Sequence, residues 1–384
     1  MTTEFKRFLQ LSKLVEKKSC FLFGPRSTGK TTLIREELRD LALTINLLKS
    51  QYFLPLSQNP GILASLIEAQ DKTLIVIDEV QKLPEILDEV HNLIEERSYR
   101  FLLTGSSARK LKRQHANMLG GRASSAALFP LTWSEIQARQ PFELERALRY
   151  GTLPRVYLAE DPDEELFAYV DLYLKEEIQT EALTRNLPSF SRFLKLAALA
   201  SSEQINYANI ASDVGLSAKT IKEYYEILHD TLLAFSLPVW KSGKKRKTSA
   251  TAKYYLFDLG VIHTLAGTKT LDRNSDLYGK SFEHFLIGEV RAYQSYSKRR
   301  WELSYWRTVG GQEVDLIIGD DLAIEIKATS KVSSKDLQGL IQIEEEGEWK
   351  ERILVSHDPL TQVFQGISCL HWQTFLERLW AHKY

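Results

Sequence analysis

The sequence predicts an α/β chain: a parallel-sheet core first, then a helical connector and a winged-helix middle, then a smaller α/β C-terminal part. Three stretches carry that expectation. Cys20–Phe23 is a short apolar run that breaks into Gly-Pro-Arg-Ser-Thr-Gly-Lys-Thr (24–31) and then into the amphipathic Leu33, Ile34 and Leu38. Leu74-Ile-Val-Ile-Asp-Glu79 is four apolar residues ending in two acids. Near the end, Val314–Ile318 and Leu322–Lys327 read as a hairpin across Gly-Asp-Asp, carrying Asp315, Glu325 and Lys327.

Length and composition frame these. With 384 residues the chain exceeds one ordinary core, and 43% hydrophobic with 26% charged residues is a globular composition. Basic and acidic residues balance at 50 each, so any nucleic-acid partner must be recognised by a local patch. Two cysteines, Cys20 and Cys369, with no Cys/His ligand spacing, argue against structural zinc and a disulfide framework. No apolar run reaches the ~18 residues needed to span a bilayer, and no signal-peptide pattern opens the chain; a cytoplasmic protein without a membrane partner is expected.

The first stretch fits G-x-x-x-x-G-K-[ST] through Gly24, Gly29, Lys30 and Thr31. Glycines let backbone N–H groups turn onto phosphate oxygens, and the helix that follows aims its positive end at the anion. Gly24, Pro25, Arg26, Ser27, Thr28, Gly29, Lys30, Thr31 and Thr32 are therefore expected to cradle ATP, with Thr31 on Mg²⁺. The second stretch reads as a buried parallel strand whose tip emerges at the ligand edge. There Asp78 is expected to hold Mg²⁺ and Glu79 to prepare the attacking water. Arg100–Ser107 is another buried strand, placing Thr104 or Ser106 to sense the γ-phosphate or, on the plainer reading, to cap the next helix. Phe5, Phe8, Leu9 and Val15 predict an amphipathic helix over 4–18, and 44–48 a second strand.

GPRSTGKT, LIVIDEVQKLP (74–84), FLLTGSSARKL (101–111), LGGR (119–122) and LFPLTWSEI (128–136) together resemble a bacterial and archaeal family of AAA+-type ATPases. The family carries an uncharacterised C-terminal region described as similar to PD-(D/E)XK nucleases. This resemblance implies a nucleotide contact by Arg122, within or between subunits, and so admits a homo-oligomer. It also matches a Gly-x-x-Pro turn at 151–154, with Arg155 beside it as a candidate nucleotide sensor, and a helix from Tyr173 to Ile178.

From 191 the rhythm changes. Tyr207–Val214, a turn at Gly215-Leu-Ser217, and Ala218–Leu228 form a helix-turn-helix pattern, with Lys219, Thr220, Lys222 and Glu223 on the second helix. Leu233–Trp240 and Lys253–Phe257 flank the basic 241–247 stretch as a hairpin would. Such a tip suits DNA phosphates, and the same fold also serves as a protein-docking module. In the last part, side chains two apart in a strand share a face, so Asp315, Glu325 and Lys327 converge. They resemble the PD-(D/E)XK motif, Val314 replacing its proline, and Glu283 matches the acid on the family's first helix. Carboxylates so placed suit Mg²⁺ or Mn²⁺. Gln338 is placed to face them, and Glu344–Glu348 reads as a solvated helix end. The expected domains are 1–140, 141–190, 191–270 and 271–384.

Overall fold

A computed structural model describes residues 5–106, 118–174, 187–241 and 251–384. Ser19–Phe23 (β1), Ala42–Asn46 (β2), Leu74–Asp78 (β3), Arg100–Gly105 (β4) and Ala123–Ala127 (β5) form one parallel sheet in the order β2-β3-β4-β1-β5. β1 and β3 are buried along their whole length, which is why both are continuous apolar runs rather than alternating ones. Cys20 and Leu22 meet Leu33, Ile34 and Leu38 on one face, while Phe21 and Phe23 join the layer of Ile67, Ile86 and Val90 on the other. Because β4 lies between β1 and β3, the tips of three strands open together at one edge of the sheet. Ligands of open α/β sheets bind at such an edge.

Two local expectations are corrected. Residues 5–10 are not helical: Phe5, Arg7 and Leu9 turn inward while Lys6, Phe8 and Gln10 turn out, and only Leu11–Val15 is α-helix. The period of two wins because Arg7 is drawn into the sheet, as described below. The second strand ends at Asn46, two residues early, where Asn46 Oδ1 accepts from Leu48 N at 2.8 Å and turns the chain.

The middle places helices Leu187–Leu199, Tyr207–Val214 and Ala218–Asp230 around a small antiparallel sheet of Glu203–Gln204 (β6), Ala234–Leu237 (β7) and Lys253–Leu256 (β8), ordered β6-β8-β7. Ser217 Oγ accepts from Thr220 N at 3.1 Å, capping the third helix and fixing its turn. Lys219, Lys222 and Glu223 are exposed there. Residues 242–247 of the basic tip, Ser107–Leu111 and Lys175–Ile178 lie outside the described residues.

The C-terminal part packs the helix Asp276–Tyr296 against a sheet ordered β13-β14-β12-β11-β10-β9. Its strands are Leu303–Arg307 (β9), Glu313–Ile318 (β10), Leu322–Lys327 (β11), Glu351–Ser356 (β12), Gln362–Phe364 (β13) and Ile367–His371 (β14). The β9 edge is covered by the middle part: Trp240 N donates to Tyr305 O at 2.7 Å and Tyr305 N to Pro238 O at 2.9 Å. The acidic run is not simply solvated, since Glu346 is buried and Glu344 pairs with Arg352 at 2.8 Å. Among the described residues no helix is long and apolar enough to cross a membrane.

Candidate nucleotide site and a second acidic cluster

The loop after β1 has the backbone its sequence demands. A Cβ on Gly24 would stand 2.5 Å from Leu128 O, and Gly29, with φ of +96°, occupies left-handed space that favours glycine. Ser27 also has positive φ, at the exposed crown of the loop, with Arg26 half-buried beside it. Thr28 Oγ1 donates to Pro25 O at 2.9 Å and closes the turn. Lys30 is buried, its ammonium donating to Gly24 O at 2.6 Å and Pro25 O at 3.1 Å, so its charge lies inside the loop. Thr31 and Thr32 open the helix Lys30–Leu38.

Across the edge, Asp78 gathers donors from two strands and the helix after the loop. Thr31 Oγ1 reaches its Oδ2 at 3.2 Å, Asn46 Nδ2 the same oxygen at 2.9 Å, and Thr104 Oγ1 donates to Oδ1. An exposed hydroxyl beside a buried carboxylate is an all-oxygen set that fits Mg²⁺. Glu79 follows with φ of +64°, uncommon for a side-chain-bearing residue and a feature of constrained sites. Its N–H donates to Thr104 Oγ1 at 3.3 Å, and its Oε2 accepts from Gln81 Nε2 at 2.5 Å. Gln81 Nε2 also lies 3.3 Å from Ser106 Oγ, while Gln81 Oε1 is buried without a partner, an acceptor available to a water. The Thr104 hydroxyl is committed to Asp78 and Glu79, so it positions those acids.

Arg122 is not brought to this group. It precedes β5, whose first residue pairs with Ser19 at the opposite end of β1, about 16 Å of strand from the loop. It pairs instead with Glu95. Arg155 pairs with Glu165 at 2.7 Å. Its neighbour Pro154 has a ring carbon 3.9 Å from where a Gly29 Cβ would stand.

Arg7, which carried no signal in the sequence, braces the loop from behind. It donates to Thr28 O at 2.8 Å, Glu135 Oε1 at 3.1 Å, Phe129 O at 2.6 Å and Tyr296 OH at 3.3 Å. Burial works against its charge, but Glu135 and Tyr296 leave its pKa raised. Buried arginines are tolerated when the guanidinium is paired with a carboxylate and hydrogen-bonded in this way.

The second group of predicted residues also assembles. The β10–β11 register pairs Leu316 with Ile324, which puts Asp315 opposite Glu325, and Asp315 Oδ2 accepts from Ile326 N at 2.8 Å. Glu325 pairs with Lys327 at 2.5 Å. Glu283 comes from the helix Asp276–Tyr296, but its Oε1 is met by Tyr255 OH at 2.8 Å and Lys253 Nζ at 3.1 Å, both from β8. Gln338 faces away, exposed and bonded to Ser334 O at 3.2 Å. Burial raises the pKa values of Glu283 and Glu325, further for Glu325 beside Asp315. Among the described residues, no three His, Cys, Asp or Glu side chains are arranged to hold a metal ion. The expected second Mg²⁺ or Mn²⁺ site finds no support in this arrangement.

Residues 16–137 match a family described as an AAA domain; residues 142–272 and 278–374 each match a domain of unknown function, DUF8612 and DUF4143. An uncharacterized protein of Mycobacterium tuberculosis is 25% identical over 323 residues, covering 81% of this chain and 70% of its own. One from Haemophilus influenzae is 24% identical over 217 residues, 52% of this chain and 54% of its own. Among solved structures, a Walker-type ATPase of Pyrococcus abyssi aligns over 67% of this chain and 93% of its own, with 14% identity and a TM-score of 0.45. The AAA match covers the whole parallel sheet and its loop. The N-terminal part of the chain is thus similar to an AAA domain over its parallel sheet and P-loop.

Proposed function

We propose that the protein binds ATP with Mg²⁺ in the loop Gly24–Thr32 and hydrolyses it, using the acids at the tip of β3. The observation that carries this reading is the meeting of Thr31 with Asp78 while Glu79 is turned and held by Gln81. The loop amides and Lys30 bind the phosphates, the lysine exchanging the Gly24 and Pro25 carbonyls for phosphate oxygens. Thr31 and Asp78 hold Mg²⁺, which neutralises charge on the phosphates when bound. Glu79 takes or orients the proton of the attacking water, Gln81, itself bonded to Ser106, fixes its carboxylate, and Thr104 fixes Asp78. Arg122, paired with Glu95 away from the loop, would act on the nucleotide of a neighbouring subunit of a homo-oligomer. Replacing Lys30 by Ala is expected to abolish ATP binding, measured by calorimetry on the full chain; unchanged affinity would sink the assignment.

The middle part is read as a winged helix from its order of helix, strand, two helices and two strands, and the last part as nuclease-like from Asp315, Glu325 and Lys327. The exposed Lys219 and Lys222 support DNA as partner. Affinity for a duplex would then fall steeply with salt, as several phosphate contacts require. Lys253 among the acids favours a second reading: a nucleotide-controlled protein-docking switch whose nuclease-like part does not cut. Asp315-dependent cleavage of supercoiled DNA in Mg²⁺ or Mn²⁺ would eliminate it.

A further inference from the structure

A PD-(D/E)XK-like arrangement reserves its carboxylates for a divalent cation. Here a side chain from another part of the molecule stands among them. Lys253 Nζ lies 2.5 Å from Glu313 Oε1, 3.1 Å from Glu283 Oε1 and 3.9 Å from Asp315 Oδ1, and its side chain is 5% exposed. It is delivered by β8, which is held in place from two sides. Residues 238–240 pair with Tyr305 on the β9 edge, and Tyr305 OH accepts from Gln204 Nε2 at 2.6 Å and donates to Thr251 O at 2.5 Å.

Three protein cations offset all but one of the four carboxylate charges without a metal. Glu283, Glu313, Asp315 and Glu325 face Lys253, Arg307 and Lys327, Arg307 lying 2.8 Å from Glu313. The one carboxylate oxygen of the group that is buried without a partner, Glu325 Oε2, belongs to an acid whose burial favours the protonated form. A buried ammonium in contact with two carboxylates and 3.9 Å from a third occupies space that a divalent cation would need. A divalent cation on the same oxygens would be repelled by the buried ammonium at this separation, which disfavours occupancy by both.

We propose that Lys253 is the resident cation of this cluster, competing with any divalent metal for Glu283, Glu313 and Asp315. The C-terminal part is therefore locked to the middle part by an internal ammonium, and metal can enter only when β8 withdraws. The inference rests on the nuclease-like reading of the C-terminal part and not on ATP hydrolysis, so its test uses no nucleotide.

The test is a Mn²⁺ titration followed by electron paramagnetic resonance, on nucleotide-free full chain carrying Asp78→Asn to remove the loop's own metal ligand. That parent is expected to show no Asp315-dependent Mn²⁺ binding. Adding Lys253→Met should tighten Mn²⁺ binding by about tenfold or more, a gain abolished by Asp315→Asn and not given by Lys253→Arg. Asp315-dependent binding by the parent, or a folded Lys253→Met variant that gains none, overturns the proposal. If Lys253→Met does not fold, the parent decides: binding lost with Asp315→Asn refutes the resident-cation assignment, and absence of such binding supports it.

Discussion

Glu289 shows how far one buried carboxylate can be moved by its surroundings. It accepts from Trp133 N at 2.7 Å and Trp380 Nε1 at 2.9 Å, and burial pushes its pKa up to about 8 against an ordinary 4.5, with Glu135 adding to the rise. The folded state therefore holds this proton more tightly. The associated stability is complete below about pH 4.5 and is lost as pH rises through about 8. Glu289→Gln removes that dependence while sacrificing one hydrogen bond, so the variant should melt below wild type at pH 5 and close the gap by pH 8.5; a constant gap across melts at both pH values would refute the assignment. Arg7→Ala strips a buried cation from Glu135 and the loop carbonyl. It is expected to cost about 3–5 kcal/mol in denaturant unfolding and to weaken ATP binding as well. Neither residue was legible in the sequence. A lone arginine at position 7 says nothing of a glutamate at 135 or a tyrosine at 296, because such pairs exist only after the chain has folded. Gln81 and Lys253 escaped notice for the same reason.

Elements were legible where local pattern and tertiary demand agree. Cys20–Phe23 and Leu74–Asp78 are central parallel strands, apolar on both faces, and the turns that end them carry the residue types phosphate and metal chemistry require. Residues 5–10 misled because Phe5, Phe8 and Leu9 fit a helical spacing, yet the inward turn of Arg7 between Phe5 and Leu9 imposes an extended chain. The early end of β2 was set by an Asn46 turn that apolar periodicity cannot register. The loop's geometry gives a test at this scale. Gly24→Ala would drive a Cβ to 2.5 Å from Leu128 O, which belongs to the backbone just after β5 and has little freedom to yield. Such overpacking costs about 1–3 kcal/mol, and because it displaces the first residue of the loop, ATP affinity should fall with the melting temperature. A variant of wild-type stability and affinity would show that the loop does not need that contact.

Over the whole molecule, the helix Asp276–Tyr296, 21 residues and about 30 Å long, runs from the C-terminal acidic cluster to the Arg7 brace behind the loop. Its Glu283 meets Lys253, its Glu289 meets Trp133, and its Tyr296 meets Arg7 and Phe129 N. Ligand binding to one part should accordingly stabilise the rest. Six of the seven tryptophans lie beyond residue 190, so their fluorescence reports the middle and C-terminal parts. Saturating ATP with Mg²⁺ at about a hundred times its Kd should add about 2.7 kcal/mol and raise that tryptophan melt. An unmoved tryptophan melt, with ATP demonstrably bound, would mean that the parts unfold independently. The central claim, that the tip of β3 performs hydrolysis on a nucleotide held by the loop after β1, is tested most directly by measuring ATP affinity and turnover together in Glu79→Gln. The account predicts affinity within a few-fold of wild type and turnover lower by about 10² or more; turnover at the wild-type rate would contradict it.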